Sequence, residues 1–169
     1  MQVQLSSSLT TAERALVKSA ALEDLLTGAL GDLGQAAVSV NCRLADPREV
    51  RRLNRKFADH DETTDVLAFP ALNAEGGGDF RLPPSEINFL GDIVISVATA
   101  AEQAHLAGVD AAAELRLLAV HGLLHLLGHD HHQAAPAARM TSATRRLLSR
   151  DASRRGIPAP AVPALQSQA

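Results

Sequence analysis

The chain has 169 residues, 46% of them hydrophobic, a single cysteine and a formal net charge of −3. This is the scale of one domain with one core, and the lone Cys42 excludes an internal disulfide framework. The acidic balance weakly opposes a broad, non-specific nucleic-acid binder, because phosphate contacts need local cations. No run approaches the eighteen or so apolar residues that cross a bilayer, and MQVQLSSSLTTAERA has neither the basic start nor the apolar stretch of a signal peptide. A soluble, cytoplasmic protein with no membrane partner is the expectation.

In chain order, Met1–Leu5 alternates like a short strand. Thr10 with Glu13 forms a capping box that opens a helix reaching Gly31 or Gly34. Residues 36–45, AAVSVNCRLA, form a strand in which Cys42 is a small buried hydrophobe rather than a nucleophile. Asp46, Pro47 and Glu49 supply the cap, first-turn proline and third-position acid of a helix to Phe57. Asp65–Phe69 and Leu90–Val97 are short apolar strands, and the 71–89 loop between them, with GGG and PP, is long enough for a functional role. Helical material resumes at Val97, Asp110 caps a further helix that ends at Gly128, and a last helix covers 136–150 from Pro136. The pattern is α+β: a small mixed β-sheet of about four strands packed with helices. Residues 1–155 form a single domain, and 156–169, rich in proline and alanine, form a flexible tail.

The strongest chemical statement is HGLLHLLGHDH, in which His121, His125 and His131 have the spacing H-x3-H-x5-H. Residues four apart on a helix stack on one face, so His121 and His125 can bind one ion at about 2.0–2.1 Å. Gly128 suits the left-handed position that ends a helix, and the reversed chain brings His131 back to the same ion. Three protein ligands leave a tetrahedral zinc one open corner for water, as catalytic sites require. Were His121 and His125 mere core residues, each imidazole in this apolar run would need its own buried partner, so one Zn2+ is the expected cofactor. The helix is then zincin-like. Metzincin peptidases share the three-histidine spacing but carry a glutamate general base beside the first histidine, where this chain has Gly122. Glu114 precedes His121 by seven residues, roughly 10 Å along a helix axis, which is too far for direct base work.

Around this site the sequence offers supporting groups. Asp130 can accept the second N–H of a ligand imidazole or shape the turn. His129 and His132 could compete as the third ligand, but the spacing selects His131 and solvent exposure is their plainer reading, as it is for His60 in ADHDETTD, which could otherwise approach the site. Thr64 and Asp65 position the following strand by hydrogen bonds. Between residues 43 and 56, six Lys or Arg face only Asp46 and Glu49, so Arg43, Arg51 and Arg55 become substrate-binding candidates for a phosphate backbone. Only four phenylalanines and no Trp or Tyr are present, so base stacking is expected to contribute little.

HGLLHLLGHDH resembles the HGxLHLxGYDH signature of the YbeY endoribonucleases, zinc-dependent bacterial ribosomal RNA maturation factors. LNRKF and TDVLAFP are similar to that family's LNxxYR and TDVLSFP, and LGDIVIS to its LGDIVI strand, in the same order over residues 53–131. Departures accompany the match. Ala58 stands where the family has an arginine, Ala68 replaces a serine, His129 a tyrosine, and QAAPAARMTSAT an acidic stretch. Arg55, three residues before Ala58 on the same helix, is the substitute guanidinium expected to stabilise transition-state charge beside a zinc-bound water. The residues leave open whether that water or an RNA 2′-hydroxyl attacks phosphorus. The resemblance implies a single-strand-specific endoribonuclease that matures the 3′ end of small-subunit ribosomal RNA and serves ribosome quality control. Ribosomal RNA, the small subunit with its proteins, or an assembly GTPase are the implied partners. Two rivals remain: a zincin-like peptidase or other metallohydrolase, and a metal-stabilised assembly factor with little catalysis.

Overall fold

Four short strands pair into one sheet: β1 (Gln2–Leu5), β2 (Ser39–Ala45), β3 (Val66–Pro70) and β4 (Phe89–Ser96), in the order β1-β2-β4-β3. A computed structural model describes residues 2–71, 88–129, 134–160 and 162. β1, β2 and β4 run parallel, and β3 lies antiparallel to β4 at the edge, with Val66 opposite Ile95 and Phe69 opposite Asp92. With α1 (Thr11–Ala20), α2 (Leu22–Asp32), α3 (Pro47–Ala58), α4 (Val97–Ala107), α5 (Ala111–Leu126) and α6 (Ala134–Arg155), this is the expected α+β architecture with a mixed four-stranded sheet.

Alternation along the strands sorts the two faces. Val40, Cys42 and Leu44 of β2 and Ile93 and Ile95 of β4 join the main core, together with residues of α1, α2, α4, α5 and α6. Ala45 and Val94 point the other way and pack with Val50, Leu53, Leu67 and Phe69, so α3 and α5 cover opposite faces. α3 begins as its sequence dictates: Asp46 accepts the Glu49 N–H at 2.9 Å and Pro47 occupies the first turn. Buried Asn54 donates to the Glu62 carbonyl at 3.0 Å and ties the loop leading to β3.

α5 is the central helix. Leu115, Leu118, Ala119, Val120, Leu123, Leu124 and Leu126 are all buried, and a helix apolar on most sides can only stand inside the protein. Gly122 sets its distance from the sheet, since a Cβ there would lie 2.7 Å from Ile93 Cγ2 and 3.4 Å from Val66 Cγ2. Alanine is worth up to about 1 kcal/mol more than glycine inside a helix, but forcing a methyl into a packed core costs about 1–3 kcal/mol. Ile93 is fully buried and has no room to retreat. Gly122→Ala is therefore expected to lower the urea midpoint, and to lower it less when introduced into an Ile93→Ala background, whose cavity accepts the methyl. A Gly122→Ala protein as stable as wild type would show that the glycine does not set this spacing.

Three sequence-level boundaries change. The single helix expected from Thr10 to Gly31 or Gly34 is two, broken at Ala21, whose φ of 47° and ψ of 50° are left-handed. The cause is tertiary. Arg116 of α5 donates from Nη1 to the Ala20 carbonyl at 2.6 Å and forms a buried ion pair through Nη2 with Asp151 of α6. The strand expected from residue 36 starts at Ser39, because the chain turns over 36–37 and Val38 N–H bonds the Gln35 carbonyl. α6 runs from Ala134 to Arg155 rather than 136–150, held at its end by Asp151 and by Arg150 and Arg154 on Asp32. Beyond it, Val162 packs against the main core and its carbonyl accepts from Arg145, which docks the start of the segment read as a flexible tail. Most of the 71–89 loop, and residues 163–169, lie outside the described residues.

Candidate metal centre

His121 and His125 occupy successive turns near the C-terminal end of α5 and are both partly buried. Their Nε2 atoms are 3.1 Å apart, with ring centroids at 4.6 Å and planes at 82°. Two nitrogens each about 2.0–2.1 Å from one ion at a tetrahedral angle would be about 3.3 Å apart. The pair thus fits two ligands of one cation. Without a cation the same approach requires one ring to donate its Nε2–H to the other.

The helix ends as the glycine dictates. Gly128 has φ 80°, its N–H bonds the His125 carbonyl at 2.9 Å, and the His129 N–H returns to the Leu124 carbonyl at 3.0 Å. These two bonds form a Schellman motif, which reverses the chain one turn beyond His125. His131, Asp130 and His132 follow that turn and lie outside the described residues. Among the described residues no group of three or more His, Cys, Asp or Glu donors is found.

Position 122 bears directly on the peptidase comparison. Its Cβ direction leads to Ile93 and Val66, into the sheet, while the histidines occupy another face of α5. Glycine is there for packing, and a glutamate base at this position would have to enter the core. Glu114 shares the histidine stripe two turns earlier. Burial, and secondarily the Asp65 carboxylate, hold its carboxyl above the usual carboxylate range. Asp65 itself organises the start of β3: Oδ1 accepts from Val66 N–H at 2.7 Å and Thr64 Oγ1 at 3.2 Å, Oδ2 from Gln103 Nε2 at 3.1 Å, and its carbonyl from Ser96 N–H at 2.8 Å. The positioning role read for Thr64 and Asp65 is met. Gln103 is the member that the sequence did not disclose, because its partner is 38 residues away.

The structure does not gather the arginines around the histidines. Arg43 on β2 is bridged to Glu49 at 2.7 Å, and Arg51 to Asp61 at 2.9 Å. The Arg51 guanidinium holds the Asp61 carboxyl below its ordinary range. Arg55 and Ala58 are exposed on α3, which covers the sheet face opposite α5. His60 is exposed. Burial pushes the Cys42 thiol up to about 12, so it carries no thiolate at neutral pH.

The fold and the pair define a class: an α+β protein whose central helix presents two imidazoles to one point. Comparison with known proteins gives the family. Residues 8–151 match the family model described as Endoribonuclease YbeY. The chain is 42% identical over 142 residues to the endoribonuclease YbeY of Moorella thermoacetica, covering 83% of this chain and 85% of that one. It is 38% identical over 152 residues to that of Chloroflexus aurantiacus, covering 88% and 93%. The solution structure of TM1509 from Thermotoga maritima has the same fold at 24% identity, with a TM-score of 0.56 over 98% of this chain and all of that one. The chain belongs to the endoribonuclease YbeY family.

Proposed function

We propose that the protein is a metal-dependent endoribonuclease that cuts single-stranded RNA during ribosomal RNA maturation, with the 3′ end of small-subunit RNA as its target. The observation that carries this reading is the 3.1 Å approach of the His121 and His125 nitrogens in a chain of this family. His121, His125 and His131 would hold one Zn2+, with Asp130 accepting from a ligand ring. When bound, the ion supplies polarisation of a phosphoryl oxygen and acidification of water toward a pKa of about 7.

The chain's own residues do the rest. His121 and His125 must present unprotonated nitrogens to hold the ion. Arg55 is in no ion pair among the described residues and is the first guanidinium available to a substrate phosphate on the α3 side of the sheet, away from the histidines. Arg51 can exchange Asp61 for a phosphate, since solvated ion pairs are weak, and the half-exposed Arg43 can meet one beside Glu49. No helix among the described residues is long and apolar enough to cross a membrane. The proposed place of work is the cytoplasm, where ribosomes are assembled, and small-subunit ribosomal proteins or an assembly GTPase are the proposed partners.

Purified protein assayed on single-stranded ribosomal RNA fragments and on peptides tests the reading. Cleavage of RNA alone, lost on chelation and restored by zinc, is expected. Peptide cleavage without RNA cleavage would establish the metallopeptidase instead. RNA cleavage that persists in metal-free protein would remove the metal from the mechanism.

A further inference from the structure

We propose that Phe57 is a base-stacking residue for single-stranded RNA, with Lys56 and the exposed arginines of α3 holding the adjoining phosphates. This rests on the endoribonuclease reading and deepens it by assigning a nucleotide contact outside the histidine cluster. Phe57 follows Val50 and Leu53 on the apolar face of α3, in the last turn of the helix, beyond the packed cluster those two residues join. The residue is 59% exposed, an unusual position for one of only four aromatic residues in the chain.

The ring is nonetheless held in place. It meets Phe69 of β3 edge to face, with centroids 5.4 Å apart and planes at 63°. The Lys56 ammonium stands 4.9 Å from its centroid. A solvated cation–π contact is weak beside a base stack, so a nucleobase can take that ring face and leave the ammonium to the neighbouring phosphate. Arg52, Arg55 and Lys56 are exposed, and none is in an ion pair among the described residues. Lys56 on the ring, with Arg52 and Arg55 exposed elsewhere on the same helix, suits a polyanion with π faces.

The ring also has a defined place relative to α5. Phe69 lies opposite Asp92, and its carbonyl borders the adjacent Gly91, which also faces the Leu126 side chain. Leu126 directly follows His125 on α5. Phe69 and α3 therefore pack on one face of the sheet, and α5, which carries the histidines, on the other.

Because the chain contains no tryptophan, Phe57→Trp installs a single fluorescent reporter. The probe is a short 2′-O-methyl RNA oligonucleotide, which resists cleavage, with Leu106→Trp on α4 as the control reporter. Quenching is expected in the Phe57→Trp protein and not in the Leu106→Trp protein. Anisotropy of the labelled oligonucleotide should give about ten-fold weaker binding for Phe57→Ala and unchanged binding for Phe57→Trp and Phe57→Tyr. Equal binding by wild type and Phe57→Ala, with the reporter unquenched, overturns the stacking role and leaves the endoribonuclease reading intact. Absence of binding even by wild type overturns both. Unchanged oligonucleotide binding by Phe57→Ala with lost co-sedimentation on small ribosomal subunits makes the ring a protein contact and overturns the proposal.

Discussion

Replacing His125 by alanine is expected to release the bound zinc and to lower RNA cleavage by more than about 100-fold, with the fold retained. Losing a group that merely orients a metal ligand costs about 10–100-fold in affinity or activity, and loss of a ligand itself must exceed that. Folding should survive because His125 is only partly buried and sits in the last turn of a helix whose other faces carry the core. Alanine is also the better helix former. What the variant loses in stability is the contribution of metal binding, which grows with free zinc as RT ln(1 + [L]/Kd). Metal content by mass spectrometry, circular dichroism and cleavage of the same RNA check this. A folded variant that keeps a stoichiometric zinc would remove His125 from the ligand set. Collapse to an unfolded chain, with no folded inactive state, would favour the metal-stabilised assembly factor.

Asp151→Ala should be the most destabilising single change outside the site, by about 3–5 kcal/mol, because it strands a buried guanidinium. The Arg116 side chain is 7% exposed and that of Asp151 4%, and their ion pair joins α5 to α6. Burial first, and then Arg155, already push the Arg116 guanidinium down to about 10, so it remains charged at neutral pH with little water to replace Asp151. For a domain of this size the loss corresponds to a melting temperature lower by on the order of 10 °C. Arg116→Met combined with Asp151→Leu removes both charges and should recover most of it, as apolar replacement of a buried pair is often neutral. Thermal and urea melts of the three variants decide. Equal stability of Asp151→Ala and wild type would mean that water reaches the guanidinium and that the pair is not a true interior contact.

Short-range chemistry was legible in the sequence. The Thr10 and Asp46 caps, the glycine end of α5, the strand alternation and the four-residue histidine spacing each depend on residues within about two helical turns, where backbone geometry leaves few options. Those rules gave the fold class and the histidine pair.

What the sequence could not express was any feature set by residues far apart along the chain. An unbroken helix was the natural reading of residues 10–31, and only the Arg116 donor to the Ala20 carbonyl, 96 residues away, accounts for the break at Ala21. Gly122 read as a missing catalytic base until Ile93 and Val66 revealed it as the point where helix meets sheet. The basic run 43–56 read as one phosphate-binding stretch, but folding paired Arg43 and Arg51 with carboxylates and put Arg55 across the sheet from the histidines. By itself, then, the sequence determined the local elements and the juxtaposition of His121 and His125, because helical periodicity carries that information. The tertiary structure alone decided which charges are free, which glycine is obligatory and which aromatic ring faces solvent. Burial and pairing depend on three-dimensional neighbours that no local pattern records.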